Sequence, residues 1–236
     1  ICYRMSTTGI QWEDSVVPVK EDLAPICCAA YECSVREDRP CFLLHNVLSE
    51  AECQNIVRAV ADSHDTSPKS LEPGTRSQFV SEDKTLSEVL WNRIGKYFPS
   101  ELDGGTVVGL QTGWRHAKYF PGQSVFGHMD FRHVDGENEL IASRISVTIY
   151  LNHKEFTGGE TRFIKGLKLD GSHSEDVYDS VPRTGSAIVF YQCVPEFSHR
   201  ANVVNDGHKS IMRADVMYQF PSQELADAGG KNITNS

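Results

Sequence analysis

Apolar residues recur along this chain at two different spacings, first that of a helix and later that of short strands. Ser49 and Glu52 form a capping box, because each side chain can satisfy a backbone amide left free at a helix start. The apolar positions behind them are three or four residues apart, at Cys53, Ile56, Val57 and Val60. We predict a helix over residues 50–63, preceded by a short strand over residues 41–47.

A second helix is predicted over residues 84–97. Its apolar stripe consists of Leu86, Val89, Leu90, Ile94 and Phe98, and Pro99 ends it because proline cannot continue a helix. The intervening residues 65–78 are polar and contain Pro68, Pro73 and Gly74, so they read as a loop.

From Thr106 onward, short runs rich in β-branched and aromatic residues alternate with turn-forming residues, a pattern typical of a β-sandwich or barrel. The predicted strands are residues 107–110, 113–119, 145–151, 160–163, 187–191, 198–203 and 211–218. The fold class is therefore α+β and mainly β. We divide the chain into an N-terminal arm packed on the core (1–40), one main domain (41–220) and a loosely ordered tail (221–236).

Composition narrows the classes of partner. The formal net charge of the 236 residues is −9 and no basic run occurs, which argues against a nucleic-acid ligand. No apolar stretch approaches the ~20 residues that span a bilayer, which argues against a membrane protein. The seven cysteines are odd in number and lack a C-x-x-C spacing, so we expect reduced thiols in an intracellular, cytoplasmic protein. The oligomeric state is left open.

The segment His128-Met129-Asp130 carries the first chemical signal. In extended backbone, residues i and i+2 point the same way, so the imidazole and the carboxylate can converge on one point. A third ligand must come from elsewhere, and His199 lies on or beside a predicted strand. Two histidines and one carboxylate form the facial triad suited to non-haem Fe(II). H-x-D is common by itself, so structural roles for these residues remain open at this point.

Two cations follow the distal histidine on one predicted strand. Lys209 and Arg213 would share a face of that strand with Ile211, and cations inside a small barrel are costly without an anionic partner. A dicarboxylate would supply one, since a guanidinium or ammonium can hold a carboxylate. Alternatively, either side chain points to solvent or pairs with Asp215 or Glu160.

An ordered set of motifs across residues 40–220 resembles the Fe(II)/2-oxoglutarate oxygenase superfamily, especially its prolyl-4-hydroxylase-like branch. The matching residues are Tyr119-Phe120-Pro121-Gly122, His128-Met129-Asp130, Ser146-Val147-Thr148-Ile149-Tyr150-Leu151-Asn152, Gly158-Gly159-Glu160-Thr161-Arg162-Phe163, Gly185-Ser186-Ala187-Ile188-Val189-Phe190, and His199 with Gly207-His208-Lys209.

The resemblance implies a double-stranded β-helix, or jelly roll, with the N-terminal helices packed on one sheet. It implies His128, Asp130 and His199 as catalytic iron ligands. Lys209 or Arg213 would bind the distal carboxylate of 2-oxoglutarate, and Tyr119, Tyr150 and Thr161 would line its pocket. Fe(II), 2-oxoglutarate and O2 would take part, with ascorbate as an auxiliary reductant.

Three functions compete. The first is hydroxylation of an unactivated C–H bond in a small molecule or amino acid, with decarboxylation of 2-oxoglutarate to succinate. The second is peptidyl-prolyl 4-hydroxylation of a protein or peptide. The third is a non-catalytic metal-binding barrel with a structural or sensory role. A peptide hydroxylase should show an open groove and a small-molecule enzyme a closed pocket. The loops over residues 131–141 and 165–182 are the expected substrate contacts.

Overall fold

The computed structural model describes residues 2–4, 19–22, 39–64 and 74–228. Its α-helices are α1 (Glu50–Ala59), α2 (Lys84–Ile94) and α3 (Gln223–Asp227). Its strands are β1 (Cys2–Arg4), β2 (Val19–Asp22), β3 (Cys41–His45), β4 (Ser77–Glu82), β5 (Glu101–Leu102), β6 (Gly105–Leu110), β7 (Gly113–Tyr119), β8 (Val125–His128), β9 (Ile141–Tyr150), β10 (Phe156–Gly158), β11 (Thr161–Lys165), β12 (Glu175–Ser180), β13 (Ala187–Tyr191), β14 (His199–Ala201), β15 (Val204–Gly207) and β16 (Lys209–Gln219).

Both predicted long helices are present, and each ends in a tighter turn than expected. The capping box at Ser49 and Glu52 is formed in both directions and starts α1. The predicted last residues of the two helices are 3-10 turns instead, Ala61–Ser63 after α1 and Gly95–Tyr97 after α2. Such turns are common at helix ends, where carbonyl groups lack α-helical partners.

Ten strands form the larger sheet, in the order β1-β4-β7-β16-β9-β13-β3-β2, with β6 paired to the far half of β16 and β5 to β6. Every pairing is antiparallel except that of β1 with β4. The long strands β9 and β16 lie side by side at its centre, and the smaller sheet packs over them.

The smaller sheet has the order β12-β11-β14-β8, and β10 pairs separately with β15. Successive strands pass between the two sheets, which is the arrangement of a jelly roll. The prediction of a mainly β double-stranded β-helix is therefore confirmed. The boundaries of the three predicted chain segments stay a prediction.

The two faces of the central strand β16 differ in chemistry. Met212, Ala214 and Val216 are fully buried in one apolar cluster that also contains residues of α1 and α2. This packing places the helices on one face of the larger sheet. The opposite face carries Lys209 and Arg213 into the space between the sheets. The alternation of side chains along a strand explains this separation.

Several strands were not recognised in the sequence. Residues 165–182, expected to be a loop, contain β12, and the end of the expected loop 65–78 is the start of β4. The strands β8, β10 and β15 are also absent from the prediction. All five are short, and their residues lack a clean apolar alternation, so the pairing partner decides their conformation.

The structure describes parts of the predicted N-terminal arm and C-terminal tail. Of the N-terminal arm, β1 and β2 pair with β4 and β3, and residues 5–18 and 23–38 lie outside the described residues. The segment expected to be a loose tail begins with α3. Arg144 donates from Nη2 to the Leu225 carbonyl of α3 at 2.7 Å and pairs with Asp103. Arg144 is thus buried beside α3.

The described cysteines Cys41, Cys53 and Cys193 are free thiols, and burial raises the pKa of Cys53 to about 12. Cys27, Cys28 and Cys33 lie outside the described residues. None of the described helices combines the length and the apolar composition that crossing a membrane would require.

Candidate active site

The three predicted metal ligands meet at the edge of the smaller sheet. His128 is the last residue of β8 and His199 the first of β14, and the two are directly opposite in the antiparallel register. Asp130 follows β8 in an irregular segment, where its carbonyl oxygen accepts a hydrogen bond of 3.0 Å from the amide of Cys193. One strand pair and one anchored segment therefore bring the ligands together.

The ligand atoms face a common point. One ligand atom of each residue lies within 4.8 Å of the others. Nε2 of His128 is 3.7 Å from Oδ1 of Asp130, and Nε2 of His199 is 4.0 Å from Oδ2. Separations of this size suit three ligands around one ion with bonds near ~2 Å.

Both imidazole rings are held by backbone carbonyl groups. Nδ1 of His128 lies 2.9 Å from the carbonyl oxygen of Phe126, and Nδ1 of His199 lies 2.9 Å from that of Phe197. A carbonyl oxygen only accepts, so Nδ1 carries the proton and Nε2 keeps its lone pair. Burial lowers the pKa of His199 to about 4, which keeps it neutral and available as a ligand.

Asp130 is ionised and fixed by two neighbours. Arg213 donates from Nη1 to Oδ1 at 2.6 Å, and the Ser146 hydroxyl donates to Oδ2 at 2.8 Å. Burial by itself would raise the pKa of Asp130, but the positive charge of Arg213, together with the two histidines in their protonated form and the hydrogen bond from Ser146, outweighs it and holds the pKa at about 2. The donor set of two neutral imidazoles and one carboxylate fits Fe(II), and its assignment as the iron site stays a prediction.

Lys209 lies deeper in the same cavity. Its side chain is 1% exposed, and Nζ donates to the carbonyl oxygen of Gly159 at 2.6 Å. Burial lowers the pKa of Lys209 to about 7, and the charge of Glu160 opposes that shift only in part. No carboxylate among the described residues pairs with this ammonium, so the cavity has a place for an anionic group of a ligand.

The predicted pocket residues surround this ammonium. Nζ of Lys209 lies 4.9 Å from the ring centre of Tyr119 and 5.6 Å from that of Tyr150. The hydroxyl of Tyr150 donates to that of Thr161 at 2.8 Å. Tyr119, Thr161 and Lys209 line the cavity that also contains the three metal ligands. The arrangement has the chemistry of a 2-oxoglutarate pocket, and these roles stay predictions.

Arg213, the other candidate for the distal carboxylate of 2-oxoglutarate, contacts protein carboxylates. Besides Asp130, its Nη2 donates to Asp215 at 3.0 Å, and it also donates to Ser146. The expected alternative of pairing with Asp215 is therefore present. Of the two candidates, Lys209 is the one without a protein carboxylate within ion-pair distance.

Several residues of the site were not singled out from the sequence. Ser146 orients Asp130, and the Gly159 carbonyl accepts a hydrogen bond from Lys209. Arg76 and Arg115 line the cavity. Neither arginine belongs to a motif. Only the cross-strand register, which the sequence does not contain, could have placed them there.

The mouth of the cavity is open among the described residues. The side chain of His128 is 37% exposed, whereas that of His199 is 9% exposed. Two large aromatic side chains flank the ligand segment in sequence, Phe126 at 69% and Phe131 at 66% exposure. A wider depression of about 560 Å³ lies next to the ligand cavity and shares Val125, Arg200 and Ala201 with it.

Comparison with known proteins agrees with this geometry. Residues 114–214 match the family model described as the 2OG-Fe(II) oxygenase superfamily. This range includes all three ligand residues as well as Lys209 and Arg213. No curated protein sequence matches the chain.

Many solved structures share the fold, among them the following two. The first is the viral collagen prolyl hydroxylase from Paramecium Bursaria Chlorella virus-1 in its 2OG complex. It has 20% sequence identity and a TM-score of 0.50, over 76% of this chain and 96% of the viral chain. The second is a Trichoplax adhaerens prolyl hydroxylase in complex with a hypoxia inducible factor peptide fragment. It has 14% identity and a TM-score of 0.54, over 86% of this chain and 90% of the other.

Proposed function

Because residues 114–214 place this chain in the 2OG-Fe(II) oxygenase superfamily, we propose that it hydroxylates a prolyl residue of a peptide or protein. The chain is an Fe(II)- and 2-oxoglutarate-dependent oxidoreductase. When bound, iron and 2-oxoglutarate supply the O2-dependent oxidation of a C–H bond, with release of succinate and carbon dioxide. The peptide substrate is the part proposed here.

Different residues of the chain would bind the iron, bind 2-oxoglutarate and orient the Asp130 carboxylate. His128, Asp130 and His199 would hold the iron. Lys209 would hold the distal carboxylate of 2-oxoglutarate, which gains an ion pair inside a cavity that excludes most water. Arg213 and Ser146 would keep the Asp130 carboxylate ionised and oriented toward the metal.

The open mouth of the site is the observation that carries the peptide proposal. Enclosed pockets bury most of the surface of a small ligand. Here His128 faces solvent among the described residues, and Phe126 and Phe131 expose most of their rings. Exposed aromatic side chains around a reactive centre are typical of a surface that contacts another chain. The adjacent depression of about 560 Å³ offers further contact area.

Two of the proteins with similar structures act in the same class of reaction. One is a collagen prolyl hydroxylase, and the other is a prolyl hydroxylase bound to a peptide fragment. At sequence identities of 20% and 14%, these proteins show that the fold is shared. That this chain also acts on a prolyl residue is our proposal.

The test is turnover on proline-containing peptides. Purified protein with Fe(II), 2-oxoglutarate and O2 is incubated with a panel of such peptides. Succinate and the mass gain of one oxygen atom on proline are then measured. We expect stoichiometric succinate and hydroxyproline with the natural chain and with Arg58→Gln, an exposed helix position, and neither product with Asp130→Ala. Oxidation of free metabolites without oxidation of any peptide would overturn the peptide proposal.

A second candidate is a small molecule or free amino acid. The ligand cavity itself is small, about 100 Å³, and its lining is rich in cations. Those properties suit a compact acidic substrate that enters beside 2-oxoglutarate. The same assay with free amino acids in place of peptides distinguishes the two candidates.

A further inference from the structure

The ligand cavity has an excess of positive charge in a chain of net charge −9. Five cationic side chains line it, and Asp130 is the one carboxylate among its described lining residues. The cations are Arg76, Arg115, Arg200, Lys209 and Arg213. Bound Fe(II) and 2-oxoglutarate would add two charges of each sign and so leave the excess unchanged.

Most of these cations have a partner that explains them. Arg213 contacts Asp130 and Asp215, and Arg200 lies 3.7 Å from Asp176. Lys209 is the candidate for the distal carboxylate of 2-oxoglutarate. Arg76 donates from Nε to the side-chain oxygen of Gln78 at 2.8 Å.

Arg115 is the exception. It is half-buried in the cavity wall on β7, and its guanidinium forms no hydrogen bond or ion pair with any described residue. In the register its direct neighbours are Arg213 on β16 and Val80 on β4. The acidic residue of β4, Glu82, instead accepts a hydrogen bond from Thr112.

Two arginines directly opposite each other on adjacent strands repel one another. Such a pair is stabilised when an anion lies beside it, and Arg213 has its carboxylates within the protein whereas Arg115 has none. The position of Arg115 is in the same cavity as the metal ligands and on the strand that leads to Tyr119. A ligand carboxylate there would lie beside the reacting centre.

We propose that Arg115 binds a carboxylate of the substrate, so that the enzyme selects a target site with an acidic group next to the oxidised carbon. The inference rests on the proposed function for its substrate class. Its chemistry is a guanidinium–carboxylate pair. The carboxylate can come from an aspartate or glutamate side chain of a peptide, or from the main-chain carboxylate of a free amino acid.

The experiment compares two peptide pools of the same length that differ only near proline. In one pool, aspartate or glutamate occupies the neighbouring positions, and in the other asparagine or glutamine does. The enzymes are the natural chain, Arg115→Gln and the matched exposed control Arg58→Gln. Free proline and prolinamide form a second pair, which separates the two sources of the carboxylate.

We expect the natural chain and Arg58→Gln to favour the acidic pool by at least about tenfold in kcat/KM, the effect of one charge-assisted hydrogen bond. Arg115→Gln should lose that preference through a higher KM for the peptide, with an unchanged KM for 2-oxoglutarate. Equal rates on both pools, or a preference retained in Arg115→Gln, would overturn the proposal and leave peptide hydroxylation intact. A higher KM for 2-oxoglutarate in Arg115→Gln would also overturn it, because Arg115 would then serve the cosubstrate.

Suppose that the enzyme oxidises proline but neither prolinamide nor the peptides, and that Arg115→Gln loses this activity. That result would support the carboxylate site and reject the peptide substrate.

If no compound is turned over, a binding measurement tests the proposal. Protein loaded with Fe(II) and 2-oxoglutarate without oxygen is titrated with both pools and both free compounds. Tighter binding of the acidic member in the natural chain but not in Arg115→Gln supports the proposal, and equal binding rejects it.

Discussion

The guanidinium of Arg213 lies 2.6 Å from the carboxylate of Asp130, so a cation of the central strand holds the carboxylate of the metal site. The two residues are 83 positions apart in sequence. The same guanidinium contacts Asp215, which is 1% exposed and whose Oδ2 has no hydrogen-bond partner. Arg213 therefore compensates two buried carboxylates at once.

Removal of Arg213 is expected to destabilise the metal-free protein. In Arg213→Gln both carboxylates would remain buried without a cation, and the free energy of unfolding should fall by about 3–5 kcal/mol. Denaturant unfolding measures this change. The double variant Arg213→Gln with Asp215→Asn should recover part of the loss, because one of the stranded charges is gone. An additive result in this double-mutant cycle would contradict the coupling.

The lowered pKa of Lys209 predicts that the affinity for 2-oxoglutarate depends on pH. Its pKa of about 7 in the free protein means that the ammonium is mostly deprotonated at pH 8. A carboxylate bound beside Nζ favours the charged form, so binding of 2-oxoglutarate must take up a proton above pH 7. We therefore expect the affinity for 2-oxoglutarate to fall as the pH rises from 7 to 9.

Calorimetric titrations in buffers of different ionisation enthalpy measure that proton uptake. In Lys209→Met the uptake should vanish and the dissociation constant for 2-oxoglutarate should rise about 10- to 100-fold, the effect of one hydrogen bond to a charged group. A pH-independent affinity in the natural chain would count against Lys209 as the partner of the distal carboxylate.

The three candidate ligands predict a spectroscopic result. Anaerobic protein with Fe(II) and 2-oxoglutarate should show a weak visible charge-transfer band, because the cosubstrate chelates iron at a facial triad. His199→Ala and Asp130→Ala should each lose the band. His133→Ala is the matched control, since His133 is exposed and lies close to the ligand segment in sequence. A band that persists in His199→Ala or Asp130→Ala, or that is lost equally in His133→Ala, would refute the assignment.

The contact between the two long helices predicts a stability difference. Arg93 of α2 donates to both carboxylate oxygens of Glu52 in α1, at 2.7 and 2.8 Å, and Glu52 is fully buried. Arg93→Met leaves that carboxylate without this cation and should cost about 3–5 kcal/mol in the free energy of unfolding.

Lys84→Met is the comparison for this pair. Nζ of Lys84 lies 3.7 Å from Glu88, with both side chains more than half exposed, so its loss should cost less than about 1 kcal/mol. Similar denaturation midpoints for the two variants would show that burial does not set the strength of these pairs.

Local sequence patterns predicted the bounds of helices and strands wherever neighbouring residues determine the backbone conformation. The capping box fixed the start of α1 at the predicted residue, and the β-prone runs 113–119 and 187–191 between turn-forming residues gave the bounds of β7 and β13. The short strand β8 was missed because its partner β14 lies far away in the chain, and β12 was missed because its residues lack a clean apolar alternation and its conformation depends on pairing with the preceding strand β11. Such pairings carry no local period.

The sequence by itself determined which residue types the site contains. The i, i+2 spacing placed His128 and Asp130 on one side of an extended segment, and the motif order singled out His199, Lys209 and Arg213. The tertiary structure decided how they are used. The pairing of β14 with β8 brought His199 opposite His128, and the irregular segment after β8 placed Asp130 beside Arg213. The pairing of β7 with β16 set Arg115 beside Arg213. Cross-strand register determines such neighbours, because it depends on which strands meet and not on their spacing in the chain.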